Sequence, residues 1–153
     1  MKRDDIHVPE IQEMYDKTLL GKGSPIPAYG FGGRGYSHAI VTTGGKTLRM
    51  SGYPGVSKDG VVGKGDIGAQ TTQALGLIKT TLEASGATWD DIVHMIFYYT
   101  DRQEFWKKCI PARIEFFKQH SKSGRLPCVT SVGVVNLMHP DMMIEIDVTA
   151  VFD

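Results

Sequence analysis

Apolar and small residues recur every three to four positions between residues 67 and 82, the spacing that places them on one face of an α-helix. Asp66 directly precedes this stretch and is a favourable N-cap, while Gly86 follows it as a glycine suited to the end of a helix. We therefore predict a helix of about five turns. Its buried stripe consists of Ile67, Thr71, Ala74, Leu75, Ile78 and Leu82.

A second helix is predicted for residues 101–117, where apolar residues again recur at helical spacing. Asp101 and Glu104 fit the N-cap and N3 positions of a capping box. Pro111 lies inside this pattern, so we expect it to bend the helix or to remove one backbone hydrogen bond.

The other regular patterns have the period of β-strands. Residues 37–43 and 47–51 flank paired glycines that suit a tight hairpin turn. Residues 92–99 form an apolar run bounded by polar positions, and residues 129–135 are a further strand. Residues 143–152 alternate between polar and apolar side chains, which predicts a last strand with one polar face.

The order β-β-α-β-α-β-β predicts an α+β domain in which two helices pack on one side of a mixed sheet. A short amphipathic helix over residues 8–20 and a Gly/Pro-rich arm over residues 21–35 precede it. We divide the chain into an N-terminal extension, residues 1–34, and the α+β domain, residues 35–153. The extension either lies over a neighbouring subunit or is a disordered tail.

Charge and composition exclude several kinds of partner. The 17 Lys and Arg residues balance the 17 Asp and Glu residues, so no broad positive field favours nucleic acid or anionic membranes. No apolar run approaches the roughly 18 residues of a membrane span, and the first residues lack a secretory signal pattern, so we expect a cytoplasmic protein. The histidines and cysteines lack metal-ligand spacing, so no metal site or cofactor is predicted.

Two charged residues in apolar segments are candidates for chemistry. Glu145 lies between two isoleucines, where partial burial would suit a general acid or base acting through water. Its alternative role is that of an exposed residue in an alternating strand. Arg113, in the second helix, could hold a carboxylate through paired hydrogen bonds, or could pair with an acidic residue of the chain itself.

Hydroxyl groups near strand ends are further candidates. Tyr36 and Tyr53 follow glycine-containing turns and could present their phenols to a ligand. Thr130 and Ser131 lie near the start of a strand, where a hydroxyl or a backbone N–H could face a pocket. Packing is the alternative role for the tyrosines, and ordinary strand preference is the alternative for the other two.

Taken together and in order, these segments resemble the Rid (YjgF-type) family from about residue 35 to residue 151. The segments that carry the resemblance are residues 35–39, 50–52, 66–71, 82–87, 90–93, 99–101, 113–117, 126–127, 132–134 and 143–146. The resemblance implies a chorismate-mutase-like α+β fold, and a homotrimer with three ligand clefts between adjacent subunits.

The archetypal members of that family hydrolyse reactive enamines and imines to ketones and ammonia. They grip the substrate carboxylate with an arginine whose place is taken here by Val129, and an apolar side chain supplies neither charge nor paired donors. This chain therefore resembles the arginine-lacking branches of the family. We hypothesise that Arg34 or Arg113 replaces the missing arginine and holds the substrate carboxylate from a different direction.

The same resemblance assigns roles to several candidates. Tyr36 corresponds to a tyrosine near the cleft, Glu145 to the acidic residue that positions a water, and Thr130 and Ser131 to residues that line the pocket.

The function predicted from the sequence is that of a small-molecule hydrolase, a deaminase that acts on an enamine, imine or related unstable amine. It would work at inter-subunit clefts, with Glu145 activating water. The alternatives are a non-catalytic metabolite-binding or regulatory trimer and a lyase or tautomerase acting on an unsaturated or aromatic acid. Ribonuclease activity is disfavoured, because the chain has no net charge and no basic stripe.

Overall fold

A computed structural model describes residues 1–15 and 36–153. The helices are α1 (Pro9–Tyr15), α2 (Ile67–Ala84), α3 (Arg102–Glu104) and α4 (Ile110–His120). The strands are β1 (Lys2–Ile6), β2 (Ala39–Thr43), β3 (Lys46–Arg49), β4 (Tyr53–Pro54), β5 (Val56–Ser57), β6 (Gly60–Val61), β7 (Ile92–Tyr99), β8 (Cys128–Gly133) and β9 (Ile144–Phe152).

The main sheet has the strand order β3-β9-β7-β8, and β4 also pairs with β9. β9 is antiparallel to β3, β4 and β7, whereas β8 is parallel to β7, so the sheet is mixed. Ile144, Ile146 and Val148 project from one face of β9 into a core shared with buried side chains of α2 and α4. The predicted α+β class, with helices on one face of a mixed sheet, is confirmed.

Both ends of α2 follow the sequence prediction. The Asp66 side chain accepts a hydrogen bond from the Gly68 N–H at 3.0 Å, which satisfies one of the free donors of the first turn. Gly86 follows the last turn with φ +79°, a backbone conformation that L side chains rarely adopt.

The second predicted helix is interrupted where Pro111 enters it. α3 and α4 are joined by a π-helical turn, Phe105–Cys109, in which the Ile110 N–H donates to the Phe105 carbonyl oxygen. Proline has no N–H to donate, and the wider turn ends two residues before Pro111. The predicted cap is present, because the Glu104 N–H donates to Asp101 at 3.0 Å.

The hairpin predicted between residues 37–43 and 47–51, which correspond to β2 and β3, is wrong. β2 pairs with β1 and β3 pairs with β9, so the two strands belong to different sheets. The paired glycines do form a turn, with φ +72° at Gly44 and +87° at Gly45. Those positive φ angles suit a change of direction, but they do not decide which strands pair afterwards.

β1 was not predicted, because its buried side chain is charged. Arg3 donates hydrogen bonds to the carbonyl oxygens of Asp90, Ile92 and Leu126, at 2.7, 3.0 and 2.9 Å, and its Nε lies 2.6 Å from Asp5. These contacts hold β1 against the start of β7 and against the segment that precedes β8. The predicted N-terminal helix is present as α1, and residues 16–20 with the Gly/Pro-rich arm lie outside the described residues.

Replacing Arg3 with methionine should lower the free energy of unfolding by about 3–5 kcal/mol. The change removes the donor to three carbonyl oxygens and leaves the Asp5 carboxylate with only Arg125, at 3.9 Å. Urea denaturation measures the change. Lys2→Met is the matched control on the same strand, since Lys2 is exposed, and it should change stability by less than about 0.5 kcal/mol. Equal effects of the two variants would refute the anchoring role of Arg3.

Candidate functional site

Glu145 lies on the face of the sheet opposite the helices. It pairs with Tyr98 on β7 and with Pro54 on β4, and it is half-buried between two fully buried isoleucines of β9. We call the face that carries Glu145, Asp147 and Thr149 the polar sheet face. Its existence was predicted from the alternation of the strand and is confirmed.

Gly52 provides the space that the Glu145 side chain occupies. A Cβ atom built at Gly52 would lie 2.6 Å from the Glu145 Cδ, closer than real Cβ atoms approach any heavy atom. The carboxylate therefore rests directly on the backbone of the turn before β4. Any larger residue at position 52 would displace Glu145.

Tyr98 and Asp147 complete a cluster with Glu145. The Tyr98 phenol donates to the Asp147 carboxylate at 3.3 Å. Burial raises the pKa of Tyr98, and the negative charges of Asp147 and Glu145 raise that pKa further. The phenol is thus held in its protonated, hydrogen-bond-donating form beside two carboxylates. Sequence reasoning missed Tyr98, although its place opposite Glu145 follows from the register of β7 and β9.

Gln70 on α2 holds the segment that leads into β9. Its side chain is fully buried, donates to the Asp141 carbonyl oxygen at 2.8 Å and accepts from the Met143 N–H at 2.8 Å. These two bonds fix the chain two residues before Glu145. Because both the nitrogen and the oxygen of this buried amide are hydrogen-bonded, Gln70 holds the segment before β9 in place. Its partners could not be inferred from sequence spacing.

Tyr53 and Arg113 lie on the other side of the sheet from Glu145. Tyr53 pairs with the core residue Ile146, and its phenol lies 2.8 Å from the Thr81 hydroxyl of α2. The Arg113 guanidinium is buried 5.5 Å from the ring centroid of Phe97, and burial lowers the pKa of Arg113. Neither side chain meets Glu145 within one chain.

The β8 candidates divide between the two faces of the sheet. Thr130 shares a row with Ile96 and Asp147, which places it on the polar sheet face. Ser131 shares a row with the core residue Phe97, and Val129 packs against the core. Thr130 is therefore the one of these three that lies on the Glu145 side.

Tyr36 lies near the start of β8. The N–H of the next residue, Ser37, donates to the Pro127 carbonyl oxygen at 3.0 Å, and the Tyr36 ring centroid lies 5.8 Å from that of His38. Cys128, the first residue of β8, pairs with His94 of β7. Glu145 pairs with Tyr98, which lies four residues further along β7. That separation is about 13 Å along the strand, so Tyr36 and Glu145 do not meet within one chain.

Arg34 lies outside the described residues. Within residues 1–15 and 36–153, no three metal-ligating side chains converge in a way that could hold an ion. In the same part of the chain, no helix combines the length and the apolar character needed to cross a membrane.

The chain is similar to known proteins in sequence as well as in fold. A family model described as endoribonuclease L-PSP matches residues 33–152. RutC family protein PH0854 of Pyrococcus horikoshii is 34% identical over 75% of this chain and 85% of its own length. The chain belongs to the Rid (YjgF-type) family.

Other Rid-family proteins agree with this assignment. RutC family protein YjgH of Escherichia coli is 31% identical over 72% of this chain and 79% of its own. The crystal structure of YyfB of Yersinia pestis, a Rid-family protein of unknown function, has a TM-score of 0.72 and 28% identity, and the match covers 99% of this chain and 100% of that one. The Rid family is associated with imine deaminase or metabolite-binding roles.

Replacing Asp147 with asparagine should lower the pKa of Tyr98 towards its usual value of about 10, because the phenolate is no longer opposed by that carboxylate. The ring resonances of Tyr98, assigned with Tyr98→Phe and followed by NMR against pH, measure the change. In the unmodified protein the raised pKa means that this group's contribution to stability falls as the pH rises above about 10. Asp59→Asn, at an exposed turn, is the control and should leave the titration unchanged.

Proposed function

We propose that this protein is a small-molecule deaminase that hydrolyses an enamine, imine or related unstable amine. The observation that carries the proposal is the half-buried Glu145 carboxylate, which rests on the Gly52 backbone and lies beside the phenol of Tyr98. A carboxylate held in this way can accept a proton from a water. The Tyr98 phenol donates its one proton to Asp147, and its oxygen can accept a hydrogen bond from the same water. Membership of the Rid family supports the reaction class.

In the proposed reaction, Glu145 takes a proton from water while the oxygen forms a bond to the carbon of the C=N group. The nitrogen takes up a second proton from solvent, giving a neutral tetrahedral carbinolamine while Glu145 holds the proton of the water. Glu145 then gives that proton to the amine nitrogen, the C–N bond breaks and ammonia leaves. The hydroxyl returns one proton to solvent as the C=O bond forms. Each turnover consumes one water, and Glu145 ends in its starting form.

We further propose that the working unit is a homotrimer whose clefts combine residues of two subunits. Tyr36 and Ser131 belong to the predicted site, yet neither lies beside Glu145 in one chain. A neighbouring copy that presents its β8 edge and the segment around Tyr36 to the polar sheet face would bring them together. β8 lies at the edge of the main sheet and its residues 130–133 are exposed, which supports such an arrangement.

The substrate of this site need not be gripped at position 129. Val129 packs against the core and offers no donor, and Arg113 is buried under the opposite face of the sheet. Turnover would then depend on Glu145 more than on a carboxylate anchor at the reacting centre.

A non-catalytic metabolite-binding or regulatory trimer is the second candidate function. It is favoured by the same apolar Val129, because a cleft that binds without turning over has no need of the arginine that the archetypal deaminases use. The two functions differ in what they require of Glu145: an enzyme needs its basicity, and a sensor needs only its hydrogen bonds.

Replacing Glu145 with glutamine should reduce turnover of an imine generated in the assay by about 10²–10⁴-fold, because the amide cannot accept the proton of water. Ammonia release measures the rate, and ligand titration measures affinity in the same preparations. Glu115→Gln, on the exposed side of α4, is the charge-matched control and should keep full activity.

Loss of turnover with affinity nearly retained supports the deaminase. No turnover in the unmodified protein, together with ligand binding that the glutamine variant preserves, would reject the enzyme in favour of the regulatory trimer.

A further inference from the structure

The polar sheet face holds a second feature, at the end away from Glu145. A cavity of about 290 Å³ opens there, lined by the polar side chains of Arg49, His94 and Asp147 and by apolar atoms of Met50 and Ile96. A volume of this size lies at the lower limit of ligand pockets, so it suits a small molecule.

The register of the sheet brings the side chains of Arg49 and His94 to this cavity. Arg49 of β3 and His94 of β7 both pair with Thr149 of β9, so the three residues form one row across the sheet. Leu48, the neighbour of Arg49, packs against the core, which places Arg49 on the opposite, polar face. The row is four residues, or about 13 Å along the strand, from Glu145.

The charge on Arg49 is not neutralised within the described part of the chain. No hydrogen bond or ion pair joins its side chain to any other described residue, and the same is true of the His94 ring. Asp147 lines the same cavity but bonds the Tyr98 phenol, and no nitrogen of Arg49 comes within 4.0 Å of it. A guanidinium with free donors beside an imidazole is a receptor for an oxyanion.

We propose that Arg49 and His94 form a binding site for the carboxylate of a small organic acid. The planar guanidinium matches the two oxygens of a carboxylate, and the imidazole N–H can donate to one of them. The Ile96 side chain, which shares a row with Asp147 on the polar sheet face, accommodates the carbon skeleton. The site is separate from the reacting centre at Glu145 and does not depend on the function proposed for it.

Asp147 selects a carboxylate over phosphate. It places a negative charge in the same cavity, two residues along β9 from the row of Arg49. A monoanion held at Arg49 can direct its uncharged end towards Asp147, whereas a phosphate dianion brings a second charge into range of that carboxylate. The cavity is therefore suited to one negative charge.

The test uses pyruvate as the carboxylate probe and inorganic phosphate as the competing oxyanion, at constant ionic strength, with binding followed by NMR of the full chain. Arg49→Met should weaken pyruvate binding by about 10- to 100-fold, because it removes a charge-assisted pair of hydrogen bonds. Arg102→Met, which removes an equally exposed arginine from α3, is the matched control and should leave binding unchanged. Asp147→Asn should raise the affinity for phosphate relative to pyruvate.

Arg49 is exposed, so the variant is expected to fold, and its thermal unfolding is measured beside the binding. Equal affinity of the unmodified protein and Arg49→Met for pyruvate overturns the proposal. So does a change in oligomeric state without a change in the affinity of the assembled form, because Arg49 would then serve contacts between copies. Neither result bears on the Glu145→Gln turnover test, so the two proposals fail separately.

Discussion

The alternation of β9 is the constraint on which the rest of the fold depends. This strand has β3 and β4 on one side and β7 on the other, and its apolar residues fill the core beneath α2. Because successive side chains point to opposite faces, a shift of one residue would expose Ile146 and bury Glu145. The hydrophobic effect therefore fixes the register, and the register fixes which polar groups share the open face.

Elements with a strong hydrophobic period could be predicted from the sequence, and elements that depend on buried polar contacts could not. α2, β7 and β9 were predicted because their apolar residues recur at a fixed spacing. β1 was missed because its buried residue is Arg3, whose partners are carbonyl oxygens about ninety and more positions away. The interaction of Gln70 with the segment before β9 was missed for the same reason.

The candidate site was predictable only as single residues. Glu145 stands out because a charge interrupts an apolar strand, and family resemblance gave it a role. Tyr98 and Arg49 carry no such signal, because they become neighbours of Asp147 only once three strands are set in register. Arg113 was attractive as an isolated charge on an apolar helix, but that isolation reflects its burial against Phe97. Long-range register, which one-dimensional patterns do not encode, decides which polar residues converge.

Zero net charge and a strongly polar sheet face are compatible because small ligands respond to local fields. Charges on the protein surface are screened over about 8 Å at physiological ionic strength. A long polyanion averages over many such distances, so a chain with no net charge is not expected to attract it. A small acid in the Arg49 cavity meets one guanidinium at close range, and about 13 Å away along β9 the carboxylates dominate. A chain without net charge can thus still carry opposite charges, those of Arg49 and Glu145, at the two ends of one face, where β9 holds them apart.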